Sequence, residues 1–378
     1  MPQKTTSLSR TNILFYGPLW FKNKNRIGGS ETGNKRTVQI LTKLGFNIIL
    51  LNKPYFRGGL VQSLMYPFKL IFTYLELLWQ LSTKKVDSFH LSAYYFYLIY
   101  MECVFILTCK LFKVKTIYEL RAGGVEMAYN KGSFLYRYIF RLAVKKSDIV
   151  LCQGTESIRF IKSITGVDSG YYPNYVMDDV FIPYSVTTRE SSGIIQLVYF
   201  GRIVPSKNIE FILEICDHLQ KKGVSFHMQI IGDTNGNDAY LDKLEALISK
   251  YGITGSVEIS AGLPSEQLFS VLLKKHFFIF PSIEIREGHS NSLTEAMSRG
   301  VVPIVSTAGF NRSIVGDDDL VIETYDSLLY ADKIENIWTS DKWTEMSLSS
   351  YEVIGRSFTE SAVTQTLNDA HSMNKNYI

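Results

Sequence analysis

The stretch that decides the fold runs from Phe280 to Gly300 and reads FPSIEIREGHSNSLTEAMSRG. An apolar run meets Pro281, and because a proline favours an extended residue before it, a buried strand is expected to end here. The polar residues 290–292 are favoured helix N-caps. The pattern therefore predicts a strand, a loop and a helix, with the helix starting near Ser292 and stopping at Gly300.

Two carboxylates lie eight positions apart in this stretch, on either side of the loop-to-helix junction. Glu287 precedes Gly288 on the loop, and Glu295 is expected in the first turn of the helix, where a negative charge is favourable. First-turn amides have no internal partner, so they suit an oxygen-rich anion. A structural interpretation stays open, in which Glu295 complements the helix end and Glu287 is a solvated charge.

A second stretch, LVYFGRIVPSKN at 197–208, carries two cations. An apolar strand ends at Gly201, and Arg202 and Lys207 follow on a loop that leads into an amphipathic helix predicted over 209–220. Arginine offers a planar fork for phosphate oxygens and lysine a mobile point charge, so both can bind one diphosphate. The alternative is that both are surface cations.

Together the two stretches closely resemble the signature of retaining glycosyltransferases of family 4. Members of that family have E-G-(F/H)-x-x-x-x-x-E-A-M-x-x-G after a strand ending in P-S, and G-R-x-x-x-x-K-G upstream. The first motif matches here at both glutamates, at the Ala-Met pair and at its terminal glycine. In the second motif Asn208 replaces the usual glycine, a tolerable change because asparagine visits left-handed backbone conformations more readily than most residues.

The resemblance implies a GT-B architecture, which is an α/β fold of two Rossmann-like domains whose parallel sheets face a central cleft. The residues agree, because strands alternate with helices throughout and 378 residues exceed the usual size of one hydrophobic core. We expect an acceptor-binding domain at 1–175, a linker at 176–193 and a nucleotide-sugar-binding domain at 194–355. A C-terminal helix within 356–378 is expected to cross back to the first domain.

The resemblance also implies roles for individual residues. Arg202 and Lys207 would stabilise the departing diphosphate, Glu287 would orient the donor sugar and stabilise a cationic transition state, and Glu295 would bind ribose hydroxyls. Further donor contacts are expected from backbone groups after Glu287, from two strand-end turns and from a glycine pair that opens the first helix; these residues are Gly288, His289, Ser290, Asn291, Ser292, Leu293, Gly232, Gly262, Leu263, Gly28 and Gly29.

On the acceptor side the resemblance is weaker. Many members have paired histidines at a strand end, whereas this chain has His90 with Ser92 in the second position. Glu119 and Arg121 follow the next predicted strand. His90 and Arg121 are therefore the predicted acceptor contacts, and a structural role for a lone histidine at a strand end stays open.

Charge is distributed unevenly along the chain. Up to Tyr175 there are 24 Lys and Arg against 9 Asp and Glu, which leaves 16 against 27 for the remainder. A basic half with apolar helices suits an anionic membrane surface, and no nucleic-acid motif is evident. A solvated basic domain is the alternative. The apolar stretches at 59–81 and 92–112 are interrupted by proline and charges, so neither is expected to span a membrane, and no cleavable signal peptide is expected.

The remaining expectations concern chemistry and location. The four cysteines lack metal-type spacing and predict reduced, mostly buried thiols of a cytoplasmic protein. No D-x-D pair lies where a metal-dependent transferase needs one, which favours neutralisation of the diphosphate by cations and helix amides.

The sequence thus predicts a retaining hexosyltransferase without metal or cofactor. It would move sugar from a nucleotide diphosphate to a glycan or lipid-linked acceptor in polysaccharide synthesis, such as lipopolysaccharide or capsule, in the cytoplasm or at the inner face of the membrane. The alternatives are a GT-B sugar-nucleotide epimerase, a polysaccharide phosphorylase, which would need a pyridoxal-binding lysine and usually a much longer chain, and a non-catalytic scaffold of the same fold.

Overall fold

A computed structural model describes residues 11–19, 29–54, 59–93, 96–121, 123–185, 193–234 and 236–372. The chain divides into two compact units: unit 1 comprises Met1–Pro173 and Thr364–Ile378, and unit 2 comprises Asn174–Val363. This division into compact units does not test the domain bounds given above, which remain predictions. Gly28, the first residue of the predicted glycine pair, lies outside the described residues.

Unit 1 is built on a parallel sheet with the strand order β2-β1-β3-β4-β5-β6. Because β2 lies on one side of β1 and β3 on the other, the chain reverses direction across the sheet at β1. The strands are β1 (Asn12–Gly17), β2 (Asn47–Asn52), β3 (Ser88–Ala93), β4 (Lys115–Leu120), β5 (Ile149–Cys152) and β6 (Gly170–Tyr171).

Helices link these strands, as expected for parallel neighbours. The larger part of the core forms between the sheet and α2 to α6, where Phe105 packs edge-on against Tyr16 with ring centroids 5.1 Å apart. The helices of this unit are α1 (Gly29–Lys43), α2 (Leu60–Thr83), α3 (Leu98–Leu111), α4 (Val125–Lys131), α5 (Phe134–Lys146) and α6 (Thr155–Thr165).

Unit 2 repeats the plan with a parallel sheet in the order β12-β11-β10-β7-β8-β9. Its strands are β7 (Ile195–Phe200), β8 (Phe226–Ile231), β9 (Val257–Ser260), β10 (Phe277–Phe280), β11 (Val302–Ser306) and β12 (Val321–Ile322). Its helices are α7 (Ile209–Lys221), α8 (Asp238–Tyr251), α9 (Ser265–Leu272), α10 (Asn291–Met297), α11 (Asn311–Val315), α12 (Ser327–Thr339) and α13 (Trp343–Ser357).

The last helix, α14 (Glu360–His371), begins in unit 2 and continues into unit 1. All four cysteines are buried free thiols, as predicted. Across the described ranges, no helix combines the length and apolarity that crossing a membrane requires.

A buried chain of polar side chains ties α14 to the sheet of unit 1. His371 Nδ1 lies 3.0 Å from Ser88 Oγ, and His371 Nε2 lies 2.9 Å from His90 Nδ1. His90 Nε2 donates to Glu119 Oε2 at 2.7 Å. Burial, and the neighbouring charges of His90 and Lys115, hold the pKa of His371 well below its usual value. A neutral His371 is therefore part of the folded structure.

Acid is expected to weaken this arrangement. The pKa of His371 is lowered in the folded chain but stays at about 6.5 in the unfolded chain, so protonation favours unfolding below that pH and has no effect above it. Lowering the pH from about 7.5 to about 5.5 should reduce the unfolding free energy through this residue by about 1.4 kcal/mol. Urea unfolding of the wild type and of His371→Gln at both pH values measures it; equal losses would show that His371 is not responsible.

Candidate active site

The candidate site lies where the sheet of unit 2 changes direction. β7 has β8 on one side and β10 on the other, so the loops that follow β7 and β10 leave the carboxyl ends of adjacent strands toward opposite sides. Such a switch point opens a crevice in which α/β proteins bind their ligands. Lys207 lies on the loop after β7, and Glu287 lies on the loop after β10.

These two residues meet directly. Lys207 Nζ forms an ion pair with Glu287 Oε2, and the side chains are only 9% and 12% exposed. Lys207 Nζ also lies 5.1 Å from the centre of the Phe280 ring, within cation–π range. Charges this far from water need partners, so each side chain fixes the position of the other.

Ser282 is the residue that organises the Glu287 loop. Its hydroxyl donates to Glu287 Oε2 at 2.9 Å, and its carbonyl accepts hydrogen bonds from Ser306 Oγ at 2.7 Å and from Tyr325 Oη at 2.8 Å. The neighbouring Ile283 amide donates to the carbonyl of Ser206 at 3.0 Å, which joins the two loops through their backbones. Glu287 is thus positioned by β11 and by the segment before α12 as well as by its own loop.

Two glycines allow the backbone to approach closely around the site. At Gly309 a Cβ would lie 2.2 Å from the Glu287 carbonyl oxygen, and φ is +57°, so only glycine fits there. At Gly232 a Cβ would lie 1.8 Å from the Gly201 carbonyl oxygen. The turns after β7 and β8 therefore pack backbone to backbone, and the Gly201 amide donates to the Ile231 carbonyl at 3.0 Å.

On the loop after β7, the start of α7 and the backbone conformation of Asn208 agree with the prediction. α7 spans Ile209–Lys221, close to the expected 209–220, and Asn208 has φ of +59°, the left-handed conformation that the missing glycine would adopt. Arg202 is exposed, and its carbonyl accepts a hydrogen bond from Tyr199 Oη at 2.7 Å. A ligand at the switch point would therefore meet one buried and one exposed cation.

The helix after Glu287 starts one residue earlier than predicted. The N-cap is Ser290, whose hydroxyl accepts from the Leu293 amide at 3.3 Å, so α10 begins at Asn291. The expectation that Glu295 lies in the first turn is therefore wrong, because it is the fifth residue of the helix. The amide of Leu293, one of the predicted backbone donors, is used by the cap. Glu295 is half-buried, and its charge acts on Arg299 one turn on.

His289 has an unusual environment for a residue of a polar loop. The ring is 3% exposed, packs edge-on against Phe358 at 4.9 Å, and has no hydrogen-bond partner for either nitrogen among the described residues. Burial lowers the pKa of His289 to about 3, so the ring is neutral. Its carbonyl accepts from Asn174 Nδ2 at 2.6 Å, which holds the loop before α10 in place.

The other predicted donor contacts lie at the same edge of the sheet or at a helix start. Gly262 and Leu263 follow β9, and a Cβ at Gly262 would lie 3.4 Å from a carboxylate oxygen of Asp233, in the turn after Gly232. Gly288 and Ser292 are half-buried, and Gly29 is the exposed first residue of α1 in unit 1.

The predicted acceptor contacts of unit 1 lie in a buried network. His90 is fully buried and bonded through both ring nitrogens, an environment that favours the structural alternative. Arg121 Nε forms a 2.6 Å ion pair with Glu119 Oε1, and Arg121 Nη2 donates to Thr37 Oγ1 at 2.6 Å. Burial alone would raise the pKa of Glu119, but the charge of Arg121 and the hydrogen bond from His90 bring it below its usual value. The acceptor-side role of both residues stays a prediction.

The structure therefore unites Lys207 with Glu287 and places Arg202 nearby in sequence, at the crevice between β7 and β10. Ser282, Gly309, Ser306 and Tyr325 support the pair and were not predicted. In the described part of the chain, no three His, Cys, Asp or Glu side chains are grouped so that they could hold a metal ion.

Known proteins resemble this chain both in part of its sequence and in its fold. Residues 187–353, which contain the switch point, match the family model described as glycosyl transferases group 1. The O-antigen chain mannosyltransferase B of Escherichia coli is 26% identical over 172 residues, which is 45% of this chain and 44% of that protein. The match thus spans less than half the length of that relative.

Solved structures resemble nearly the whole chain. HepE of Anabaena, solved with UDP and glucose, has a TM-score of 0.67 at 13% identity, and the match covers 97% of this chain and 100% of that one. WaaG, a glycosyltransferase involved in lipopolysaccharide biosynthesis, has a TM-score of 0.64 at 13% identity, over 95% and 99% of the two chains.

The fold, with its two parallel sheets, is therefore the GT-B fold, as predicted. Within the sequence, residues 187–353 match the model of the glycosyl transferases group 1 family.

The buried ion pair should show strong coupling. Glu287→Ala leaves the Lys207 ammonium buried without its partner and should lower the unfolding free energy by about 3 kcal/mol, whereas removing both charges should cost much less than the sum of the two single changes. Urea unfolding of Glu287→Ala, Lys207→Ala and the double variant measures the coupling. Additive losses would mean that the two charges do not stabilise each other.

Gly309 offers a test of how Glu287 is positioned. Gly309→Ala introduces both an unfavourable φ and a collision with the Glu287 backbone, whereas Gly316→Ala introduces only the unfavourable φ, because its nearest neighbour would be 3.9 Å away. We expect the first variant to be less stable than the second by about 2 kcal/mol, since overpacking adds to backbone strain. Equal losses in urea unfolding would show that the close approach is unimportant.

Proposed function

We propose that this protein is a retaining glycosyltransferase that transfers a sugar from a nucleotide diphosphate to an acceptor hydroxyl. The observation that carries the proposal is the buried Lys207–Glu287 pair at the switch point of the group 1 domain. A cation on one loop and a carboxylate on the adjacent loop suit the two ends of such a donor, the diphosphate and the sugar.

The charges suggest how the site would act. In the reaction the bond between the anomeric carbon and the diphosphate breaks, so negative charge grows on the leaving group and positive charge on the sugar ring. Lys207 and Arg202 would stabilise the negative charge on the diphosphate. Glu287 would orient the sugar and stabilise the positive charge on its ring. Lys207 is already neutralised by Glu287, so a bound diphosphate would share this cation with the carboxylate. Glu295 would bind the ribose hydroxyls.

Retention at the anomeric carbon and independence from metal ions also belong to the proposal. Retention follows from the resemblance of both motifs to family 4. Metal independence is supported by the cations at the switch point, which can balance the diphosphate charge themselves, and no further cofactor is assigned.

For the acceptor we propose a growing glycan on a lipid carrier. The supporting observations are the relatives, an O-antigen chain mannosyltransferase and a glycosyltransferase of lipopolysaccharide biosynthesis. Such a role would place the protein in the cytoplasm, at the inner face of the cytoplasmic membrane. The high cation content of unit 1 suits that location.

Calorimetry with a panel of UDP-, GDP- and dTDP-sugars tests donor binding, and the donor that binds is then used with a lipid-linked acceptor. Arg202→Ala should lower the transfer rate about 100-fold, because it removes one cation from the developing phosphate charge. EDTA should leave the rate unchanged, and NMR of the product should show the anomeric configuration of the donor.

Lys274→Ala is the matched control, because Lys274 is an exposed cation just before β10, at the opposite edge of the sheet. Its transfer rate should equal that of the wild type. Conversion of the donor sugar without an acceptor would favour the epimerase alternative, and absence of binding to every sugar nucleotide would leave only the scaffold.

A further inference from the structure

Unit 1 has an outward helical surface that is apolar where solvent would normally select polar side chains. On α2, seven large apolar side chains are between 51% and 69% exposed, and they recur at helical spacing along one face. The opposite face of the same helix is buried, through residues such as Tyr66 and Leu77. The exposed side chains are Leu64, Met65, Phe68, Ile71, Phe72, Leu75 and Trp79.

Two neighbouring helices extend this surface. The rings of Tyr66 on α2 and Tyr97, just before α3, lie 6.4 Å apart edge-on, and the Phe96 amide donates to Tyr136 Oη of α5 at 3.2 Å. α3 contacts both α2 and α5. Their outward faces expose Tyr97, Tyr100, Val104 and Leu111 around α3, and Phe134, Leu135 and Tyr138 on α5. We call the exposed side chains of these three helices the apolar face.

Cations border and interrupt the apolar face. α5 carries four cations and no acidic residue, and Arg141 and Lys145 continue the outward stripe begun by Phe134 and Tyr138. At the end of α2, Lys84 Nζ lies 5.5 Å from the centre of the Trp79 ring. Glu76 is the one acidic residue in the sequence of α2. Apolar side chains with aromatic rings and cations at the margin are the composition that binds an anionic lipid surface.

We infer that the apolar face docks on the headgroup region of an anionic bilayer, with the aromatic and aliphatic side chains inserted and the cations against lipid phosphates. Soluble proteins rarely expose this many large apolar side chains on neighbouring helices unless the surface meets a partner. From Leu64 to Trp79 the ridge on α2 is about 22 Å long, so it can lie along the surface. An anionic bilayer has an apolar interior for the inserted side chains and also carries negative charges that attract the cations.

The purpose of this docking rests on the proposed function, because a lipid carrier would present the acceptor sugar at that same surface. The docking itself requires neither donor nor acceptor. It can therefore be tested without turnover.

The test is flotation of the full chain with vesicles of phosphatidylcholine alone and with phosphatidylglycerol added at a fraction of about one third. The wild type should float with the anionic vesicles and much less with the neutral ones. Phe68→Ser/Phe72→Ser should reduce binding at least ~10-fold, because two rings no longer insert. Arg141→Gln/Lys145→Gln should reduce binding to anionic vesicles ~10-fold.

The matched control is Leu328→Ser/Leu329→Ser on α12 of unit 2, where both side chains are also exposed, at 41% and 46%. This variant should float like the wild type. Far-ultraviolet circular dichroism and sugar-nucleotide calorimetry on the same samples verify folding and donor binding. If the wild type floats with anionic vesicles but binds no sugar nucleotide, the proposed function is overturned and the inferred docking surface is not.

Three outcomes would overturn the inference: no flotation of the wild type, unchanged flotation of Phe68→Ser/Phe72→Ser, or equal binding to neutral and anionic vesicles. Sedimentation velocity adds the last arm. If the wild type is a dimer that Phe68→Ser/Phe72→Ser converts to a monomer, and neither binds vesicles, a second copy covers the apolar face instead of lipid.

Discussion

The buried ion pair between Lys207 and Glu287 is the constraint on which the candidate site depends. Removing two charges from water costs free energy. This cost is offset here by the attraction between the two charges, by the hydrogen bond from the Ser282 hydroxyl and by the ring of Phe280. Because each charge would be costly alone, the pair holds together two loops that are 80 residues apart in the sequence. The site is therefore organised before a ligand enters, and a diphosphate need only share a cation that is already in position.

The parallel sheet decides where this pair can form. Carboxyl ends of all strands lie along one edge, and the reversal of strand order at β7 separates the connections on its two sides. Glycine then sets how closely the loops pack, since Gly309 contacts the Glu287 backbone and Gly232 contacts Gly201. Unit 1 has the same reversal at β1, and beside β1 a buried polar chain runs from Ser88 through His371 and His90 to Glu119. This chain lies on β3, α14 and β4, whereas the ion pair of unit 2 lies on loops after the strands.

Those parts of the fold and of the candidate site that depend on neighbouring residues in the sequence could be predicted. The β10 strand, the α7 helix and the left-handed Asn208 follow from periodicity, proline and backbone preference within a few residues. The support of Glu287 could not be predicted, because Ser306 and Tyr325 reach Ser282 from 24 and 43 positions away. The start of α10 was misplaced because three consecutive N-cap residues are equally suitable by type. Contact with the Leu293 amide selects Ser290.

Helix α2 of unit 1 shows a case in which the sequence pattern predicts a helix but does not predict which face of it is buried. A helix that is apolar on one side only can be oriented from its periodicity, but α2 is apolar on both sides, so the pattern says that it is hydrophobic and not which face is buried. The structure resolves this, because Tyr66, Leu77 and their neighbours are buried and the other side remains exposed. The side chains of that exposed face do not belong to the core that the described residues form. The docking on an anionic bilayer that we infer would account for this composition, because the apolar side chains would insert and the cations of α5 would lie against lipid phosphates.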